Sequence, residues 1–230
     1  MEPRSSKNFV KCDRAIRRLP QFYEAAAVST TELFERRSID LRLGGRYSLA
    51  NRHDSRGNRR QFACRTTRVS PYQMMISVPV IGAIGERVIS YFGEFGKLDG
   101  WVSEHVEGGF LIDLAVPKEK RQQLAGKISW LEKQRKETVH DARGQGRVIP
   151  ENPHSTLVFA DGSMLGCFVI DMSATGAAVS ADVQPEIGSP LAVGRSVGRV
   201  IRHFREGFAV KFIQPVEPNY LEHLIIRPNA

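Results

Sequence analysis

Cysteine is scarce in this sequence, and what there is does not pair. The 230 residues hold three, Cys12, Cys64 and Cys167, widely spaced and without a CxxC. An odd, scattered set excludes a secreted disulfide scaffold and a cysteine-based zinc site. Long apolar runs are missing as well. The longest near the N-terminus, Ala25–Val28, is too short for the apolar region of a secretory leader. No run approaches the roughly 20 residues that cross a bilayer. These absences predict a cytoplasmic chain with no membrane partner. Catalytic signatures are absent too. The six histidines, His53, His105, His140, His154, His203 and His223, are scattered, with no HExxH, no GxSxG and no phosphate-cradling loop ending in Gly-Lys-Ser/Thr. The expectation is a non-enzymatic protein with no metal and no cofactor.

What the chain does have is ordinary globular composition and an uneven charge. Apolar residues make up 41% and charged residues 25%, enough for real cores in one or two domains. Of the net charge of +8, the first 60 residues carry +7, from 14 Lys/Arg against 7 Asp/Glu. Such a region attracts phosphates, nucleic acid or anionic lipid, or else is a solvated tail.

Along the chain, residues 1–32 read as a basic, flexible arm with a short possible helix around Ala15–Ala27. Residues 33–116 show short β-rich runs punctuated by glycine, at Gln61–Thr67, Met74–Val80, Arg87–Phe92, Gly100–His105 and Phe110–Ala115. Runs at this spacing suggest a barrel or sandwich. Residues 117–137 change character, with Leu124, Ile128 and Leu131 at helical spacing behind Pro117, which predicts an amphipathic connecting helix. Trp130, beside that stripe, is expected in the core or between domains. Residues 138–230 return to β-rich runs at Thr156–Phe159, Gly166–Ile170, Ala177–Ala181, Pro190–Val193, Gly198–His203 and Phe208–Phe212. A short helix at Asn219–Ile226 closes the chain.

The two β-rich blocks repeat one another. Cys64–Ser70 lies over Cys167–Ser173 at an offset of 103, which also sets Ile84-Gly85 on Ile187-Gly188. At an offset of 98, Gly109-Phe110-Leu111 meets Gly207-Phe208-Ala209, and at 101 Gly45-Arg46 meets Gly146-Arg147. Ordered matches of this kind imply two homologous domains. Cys64 and Cys167 then occupy equivalent strand positions, as small core residues.

One motif points to a ligand. Asp171-Met172-Ser173-Ala174-Thr175-Gly176 is a DxSxxG directly after an apolar strand. Taken alone it could be a strand-end turn in which Asp and Ser bond local backbone. Upstream by 24 residues, in a polar segment ahead of the second block, stands Arg143-Gly144-Gln145-Gly146-Arg147. The RxxxR pattern recurs elsewhere, for instance at Arg42/Arg46 and Arg195/Arg199, so its position carries the information. An RxxxR lead-in, a DxSxxG after an early strand, then Gly198-Arg199-Val200-Ile201-Arg202 and Gly207–Phe212, resembles a PilZ domain over roughly residues 135–220. With the weaker first block, the chain resembles the bacterial tandem-PilZ proteins.

That resemblance implies two six-stranded β-barrels joined by a helix, and a receptor for the second messenger cyclic di-GMP. It assigns the ligand to Arg143, Arg147, Asp171, Ser173 and Gly176. The chemistry is coherent: arginine offers a planar fork to phosphate or to a guanine edge. Asp171 can accept the guanine N1–H and N2–H₂, Ser173 adds a polar contact, and Gly176 allows close approach of backbone. In the first copy, Arg68 stands for the aspartate and Gln73 for the glycine, so that domain is expected to be degenerate. A change of interdomain arrangement would signal to a downstream protein partner. Two alternatives stand beside this reading. A small-barrel nucleic-acid binder should interleave aromatics with its basic residues, which Arg52–Arg60 does not, so nucleic acid is the disfavoured partner. The other is a structural adaptor with a vestigial nucleotide site.

Overall fold

The computed structural model describes residues 38–137 and 146–226. The arm at 1–32 with its expected helix, Cys12, His140, Arg143 and Gly144 lie outside the described residues. The protein is mainly β, with two closed antiparallel barrels. The first is built from β1 (Ile39–Asp40), β2 (Gly44–Leu49), β3 (Phe62–Val69), β4 (Gln73–Ser77), β5 (Arg87–Phe92), β6 (Gly96–Val106) and β7 (Gly109–Leu114). Six of these run in the order β3-β2-β5-β6-β7-β4, and β4 pairs back to β3 to close the ring. The second barrel comprises β8 (Arg147–Val148), β9 (His154–Phe159), β10 (Met164–Ser173), β11 (Gly176–Ser180), β12 (Pro190–Val193), β13 (Ser196–Phe204) and β14 (Gly207–Phe212). It closes identically, as β10-β9-β12-β13-β14-β11 with β11 back on β10. The two-residue strands β1 and β8 each attach outside the ring, to the end of β3 and β10 respectively.

Each ring wraps one apolar core. Tyr47, Phe62, Met74, Ile76, Leu98, Phe110 and Ile112 fill the first, and Leu157, Val169, Met172, Val179, Phe208 and Val210 fill the second. A helix caps each. In α1 (Lys118–Glu137), Leu124 and Ile128 are buried in the first core and Leu131 packs against it. Trp130 faces outward instead, 57% exposed, contrary to the expectation of core or interdomain packing. It is two residues from Ile128 on a helix, which turns it away from the buried stripe. After a 3₁₀ turn at Pro218–Tyr220, Leu221 and Ile225 of α2 (Leu221–Ile225) close the second core. Each helix docks on the equivalent hairpin of its own barrel: Lys127 donates to Glu94 O in the β5–β6 turn, and Arg195 N, in the β12–β13 turn, donates to Leu224 O.

The repeat is a repeat of backbone constraints. Gly85 and Gly188 both hold positive φ, and their N–H groups donate to Val102 O and Val200 O at 2.7 and 2.8 Å. Gly109 and Gly207 sit where two strands close on each other. A Cβ on either would lie 1.9 Å from Ile76 O or 2.0 Å from Val179 O. One expected correspondence fails. Gly45 is opposite Cys64 in the β2–β3 ladder, and its counterpart opposite Cys167 is Ser155, not Gly146. Arg147 lies in β8, the equivalent of β1. Strand β2 itself was not anticipated, because Gly-Gly-Arg-Tyr-Ser-Leu has little intrinsic strand character and is held by its two neighbours.

The barrels meet through the outer faces of equivalent strands. Arg65 on β3 lies 5.7 Å over the Phe168 ring on β10, its positional counterpart. Ser180 Oγ accepts from Ala63 N at 3.0 Å, and its counterpart Ser77 bonds His154 Nε2 at 2.8 Å. Arg60 and Arg52 both reach Asp182, at 2.7 and 3.3 Å, and Arg42 reaches Glu151 at 3.0 Å.

Gly207→Ala should therefore cost about 1–3 kcal/mol, as an overpacked strand junction does. Gly126→Ala, in open space on α1, should add about 0.5–1 kcal/mol. Thermal unfolding of the two variants checks both signs. A Gly207→Ala protein as stable as the parent would refute the close-approach argument.

Candidate functional site

Side chains along a strand alternate between core and outside. In β10, Cys167 and Val169 point into the core, so strict alternation would send Asp171 inward too. A β-bulge prevents this. Val169 pairs with Val179 and Asp171 with Ala178, leaving Ile170 as an extra residue. Two consecutive residues, Ile170 and Asp171, are thus partly exposed, and Met172 resumes the core phase. β3 has the same bulge between Thr66 and Arg68, with Thr67 and Arg68 turned out and Val69 returned to the core.

The bulge brings Asp171 to β8. Met172 pairs with Val148 and Ser173 with Arg147, so the two charged residues, 24 apart in sequence, become neighbours. Arg147 Nη1 donates to both carboxylate oxygens of Asp171, at 3.0 and 3.2 Å. Asp171 is more sheltered than a strand-end position suggested, its side chain 26% exposed against 56% for Arg147. Ser173 ends β10, at the edge of the two-residue turn Ala174-Thr175, where its hydroxyl donates to Gly176 O at 3.3 Å and accepts from Thr175 N at 3.4 Å. Gly176 has a packing reason of its own: a Cβ there would lie 2.4 Å from Val210 O, where β14 runs past. Four of the five sequence-predicted site residues thus fall on β8 and the β10–β11 hairpin, and Arg143 lies outside the described residues.

The first barrel carries an ion pair between the corresponding strands, with the signs exchanged and the partner two positions away from that of Arg147. Arg68, at the Asp171 position, donates to Asp40 at 2.8 Å on β1. Gln73, at the Gly176 position, turns its side chain to Asp113 at 2.8 Å. Ser70 closes its own turn, accepting from Gln73 N at 2.9 Å.

Sequence reasoning missed a cleft of about 680 Å³ between the barrels. Arg42, Arg46, Arg65 and Tyr91 line it from the first barrel, and Ile149, Glu151, Phe168 and Ile170 from the second. Ile170 precedes Asp171 and Ile149 is two residues from Arg147, but neither charged residue lines the cleft itself. A signal existed: an arginine in the middle of the otherwise uncharged stretch Phe62–Thr67 needs a use. Among the described residues no group of His, Cys, Asp and Glu could hold a metal. No described helix is long and apolar enough to cross a membrane.

Comparison with known proteins bears on the second barrel. The family model described as PilZ domain matches residues 141–227. No curated protein sequence matches the chain. Among solved structures, the chain is similar to PlzA of Borreliella burgdorferi, determined with c-di-GMP, at 12% identity. That match covers 81% of this chain and 86% of that one, with a TM-score of 0.24. It is similar to MotI/DgrA, the inhibitor of motility of Bacillus subtilis, at 12% identity over 81% and 94% of the two chains, with a TM-score of 0.28. It is also similar to YcgR of Escherichia coli, determined with c-di-GMP, at 13% identity over 79% and 80%, with a TM-score of 0.25.

Cys64 and Cys167 are both buried in their barrels, as expected of equivalent core positions. Burial pushes the Cys64 thiol well above its ordinary pKa, so it stays protonated and poorly nucleophilic. In the native protein, iodoacetamide should leave both unlabelled until denaturant is added. Peptide mass spectrometry reads this site by site, and labelling of the folded chain at Cys64 would contradict the core assignment.

Proposed function

We propose, on the premise that residues 141–227 are a PilZ domain, that the chain is a non-enzymatic cytoplasmic receptor for cyclic di-GMP. The ligand is held by Arg143, Arg147, Asp171, Ser173 and Gly176, and the readout is a change in how the two barrels lie against each other. The observation that carries the reading is the pairing of β8 with β10, which sets Arg147 against Asp171 at the head of the DxSxxG turn. A cation for phosphate and a carboxylate for the guanine donor edge are the two groups that a guanine dinucleotide requires.

The ion pair sets the energetics. Arg147 and Asp171 satisfy each other, and a partly exposed pair of this kind is worth about 0–1 kcal/mol. Guanine N1–H and N2–H₂ on Asp171, with phosphate on Arg147, replace one weak pair by several charge-assisted hydrogen bonds of about 1.5–3 kcal/mol each. The exchange therefore runs toward ligand. The segment that follows Arg147 is tied to the first barrel, Pro150 O accepting from Arg65 and Glu151 from Arg42. Moving Arg147 onto a phosphate pulls on those ties, which links occupancy to the barrel–barrel contact and so to a downstream protein partner.

Asp171→Ala should abolish cyclic-di-GMP binding in a calorimetric titration while shifting the thermal midpoint little, because the pair it breaks is weak. Arg147→Ala should lose about ten-fold or more, and Arg199→Ala, on the far strand β13, should lose little. Undiminished affinity in Asp171→Ala would remove this site from consideration. Small-angle scattering tests the readout: the curve should change at saturating ligand. Identical curves with binding confirmed separately would leave only a local switch of the β8 segment.

A further inference from the structure

Each barrel leaves a sheet face open to solvent on the side away from the other barrel. With six strands in a ring, β6 stands three places from β3 in either direction, and β13 stands three places from β10. The barrels meet through β3 and β10, so β6 and β13 lie on the two far sides of the molecule.

The two faces occupy equivalent positions. A Cβ on Gly100 of β6 would lie 2.4 Å from Asp113 O, and one on Gly198 of β13 would lie 2.5 Å from Lys211 O. Trp101 pairs with Asp113 as Arg199 pairs with Lys211. The chain then leaves each sheet on the same bond, Ala115 N donating to Asp99 O and Ile213 N to Val197 O. Alternation along the strands turns Asp99, Trp101 and Asp113 outward in the first barrel, and Val197, Arg199 and Lys211 outward in the second.

What stands at those positions differs in kind. On the β13 face two cations are set among aliphatic side chains, Val197 being 53% exposed, Ile201 48% and Ile213 64%. Arg199 donates to Gly188 O at 3.0 Å, and among the described residues neither it nor Lys211 is in an ion pair. On the β6 face Trp101 is 48% exposed, with Asp113 beside it. Asp113 accepts from the neutral amide of Gln73 and is in no ion pair among the described residues. Asp99 is already held by Arg87 at 2.9 Å and Lys97 at 3.7 Å, so those two cations are neutralised within their own face. One face therefore offers an indole and a carboxylate, and the other offers two cations with apolar flanks. An arginine suits an aromatic ring, a lysine suits a carboxylate, and the aliphatic side chains suit the body of the indole.

We propose that the β6 face of one copy of this chain docks on the β13 face of a second copy, Trp101 against Arg199 and Asp113 against Lys211. The faces lie on opposite sides of one molecule, so the contact runs head to tail. Every added copy leaves one face of each kind open, and association grows as an open chain rather than closing at two copies. A single sheet face is a small interface, and small interfaces are weak. Growth therefore shows as protein concentration rises and fades with salt, which screens the Asp113–Lys211 attraction. The contact uses neither β8 nor β10 and does not depend on what the second barrel binds.

Sedimentation equilibrium of the full chain over a concentration series, without ligand, tests this by charge reversal. The weight-average mass of the parent should keep rising past that of two copies. Asp113→Lys and Lys211→Glu each set like charges face to face, and each should weaken association by about ten-fold or more. Mixed in equal amounts, the two variants should associate again, since the two untouched faces attract each other and so do the two altered ones. The double variant should likewise recover growth. Both positions are exposed, so the variants should melt with the parent. Trp101→Ala, which changes no charge, should also weaken association and decides the matter if a reversal unfolds the chain. A parent that stays at the mass of one copy would overturn the proposal and leave the faces to another protein. A mass that levels at two copies would overturn it too, because that marks a closed interface. So would association that survives both reversals, or that folded variants fail to regain on mixing.

Discussion

Closing a sheet on only six strands forces the strands to bend, and both barrels bend at the same two places, a bulge late in the second ring strand and another in the fifth; the first of these sets the site. The extra residue there, Ile170 in β10 and Thr67 in β3, moves the inside–outside alternation by one step. Without that step Asp171 would face Val179 and Phe208 in a dry core, where an ionised carboxylate is not tolerated. With it, the acid stands outside, next to β8 and its arginine. The candidate site is thus a consequence of barrel closure rather than an addition to it. The same bend in the first barrel puts out Arg68, and β1 meets it with Asp40.

Glycine plays the complementary part. Gly109 and Gly207 let the last ring strand pass within contact of its neighbour, and Gly176 does the same at the β10–β11 hairpin. A residue chosen for ligand access on sequence grounds proves to be required by the barrel itself. The two needs do not conflict, because a bare backbone serves both.

How much was legible follows from how local each feature is. The stripe Leu124, Ile128 and Leu131 lies within one helix, so its periodicity announced α1 and its buried face. The Gly85/Gly188 and Gly109/Gly207 matches were visible because each glycine answers a constraint that both copies share. The Gly45-Arg46 match with Gly146-Arg147 was a likeness of letters only; hydrogen-bond register assigns Ser155 to that place. The Arg147–Asp171 pair escaped notice because a bulge decides it, and no pattern of apolar residues marks a one-residue phase step. Arg65 escaped for a different reason: its surroundings come from Pro150 and Phe168, about a hundred positions away, on the other barrel.

The barrel–barrel contact has a further consequence for how the molecule holds together. Each barrel presents the face bearing its bulged strand to the other, so a single fold is used twice in one contact, Arg65 against Phe168 and Ser77 and Ser180 each bonding across. Joined in one chain, the two faces encounter each other at an effective concentration of about millimolar. A contact too weak to hold separate molecules together is then sufficient. Such a contact can be kept marginal, held by a few partly exposed ion pairs and by hydroxyls.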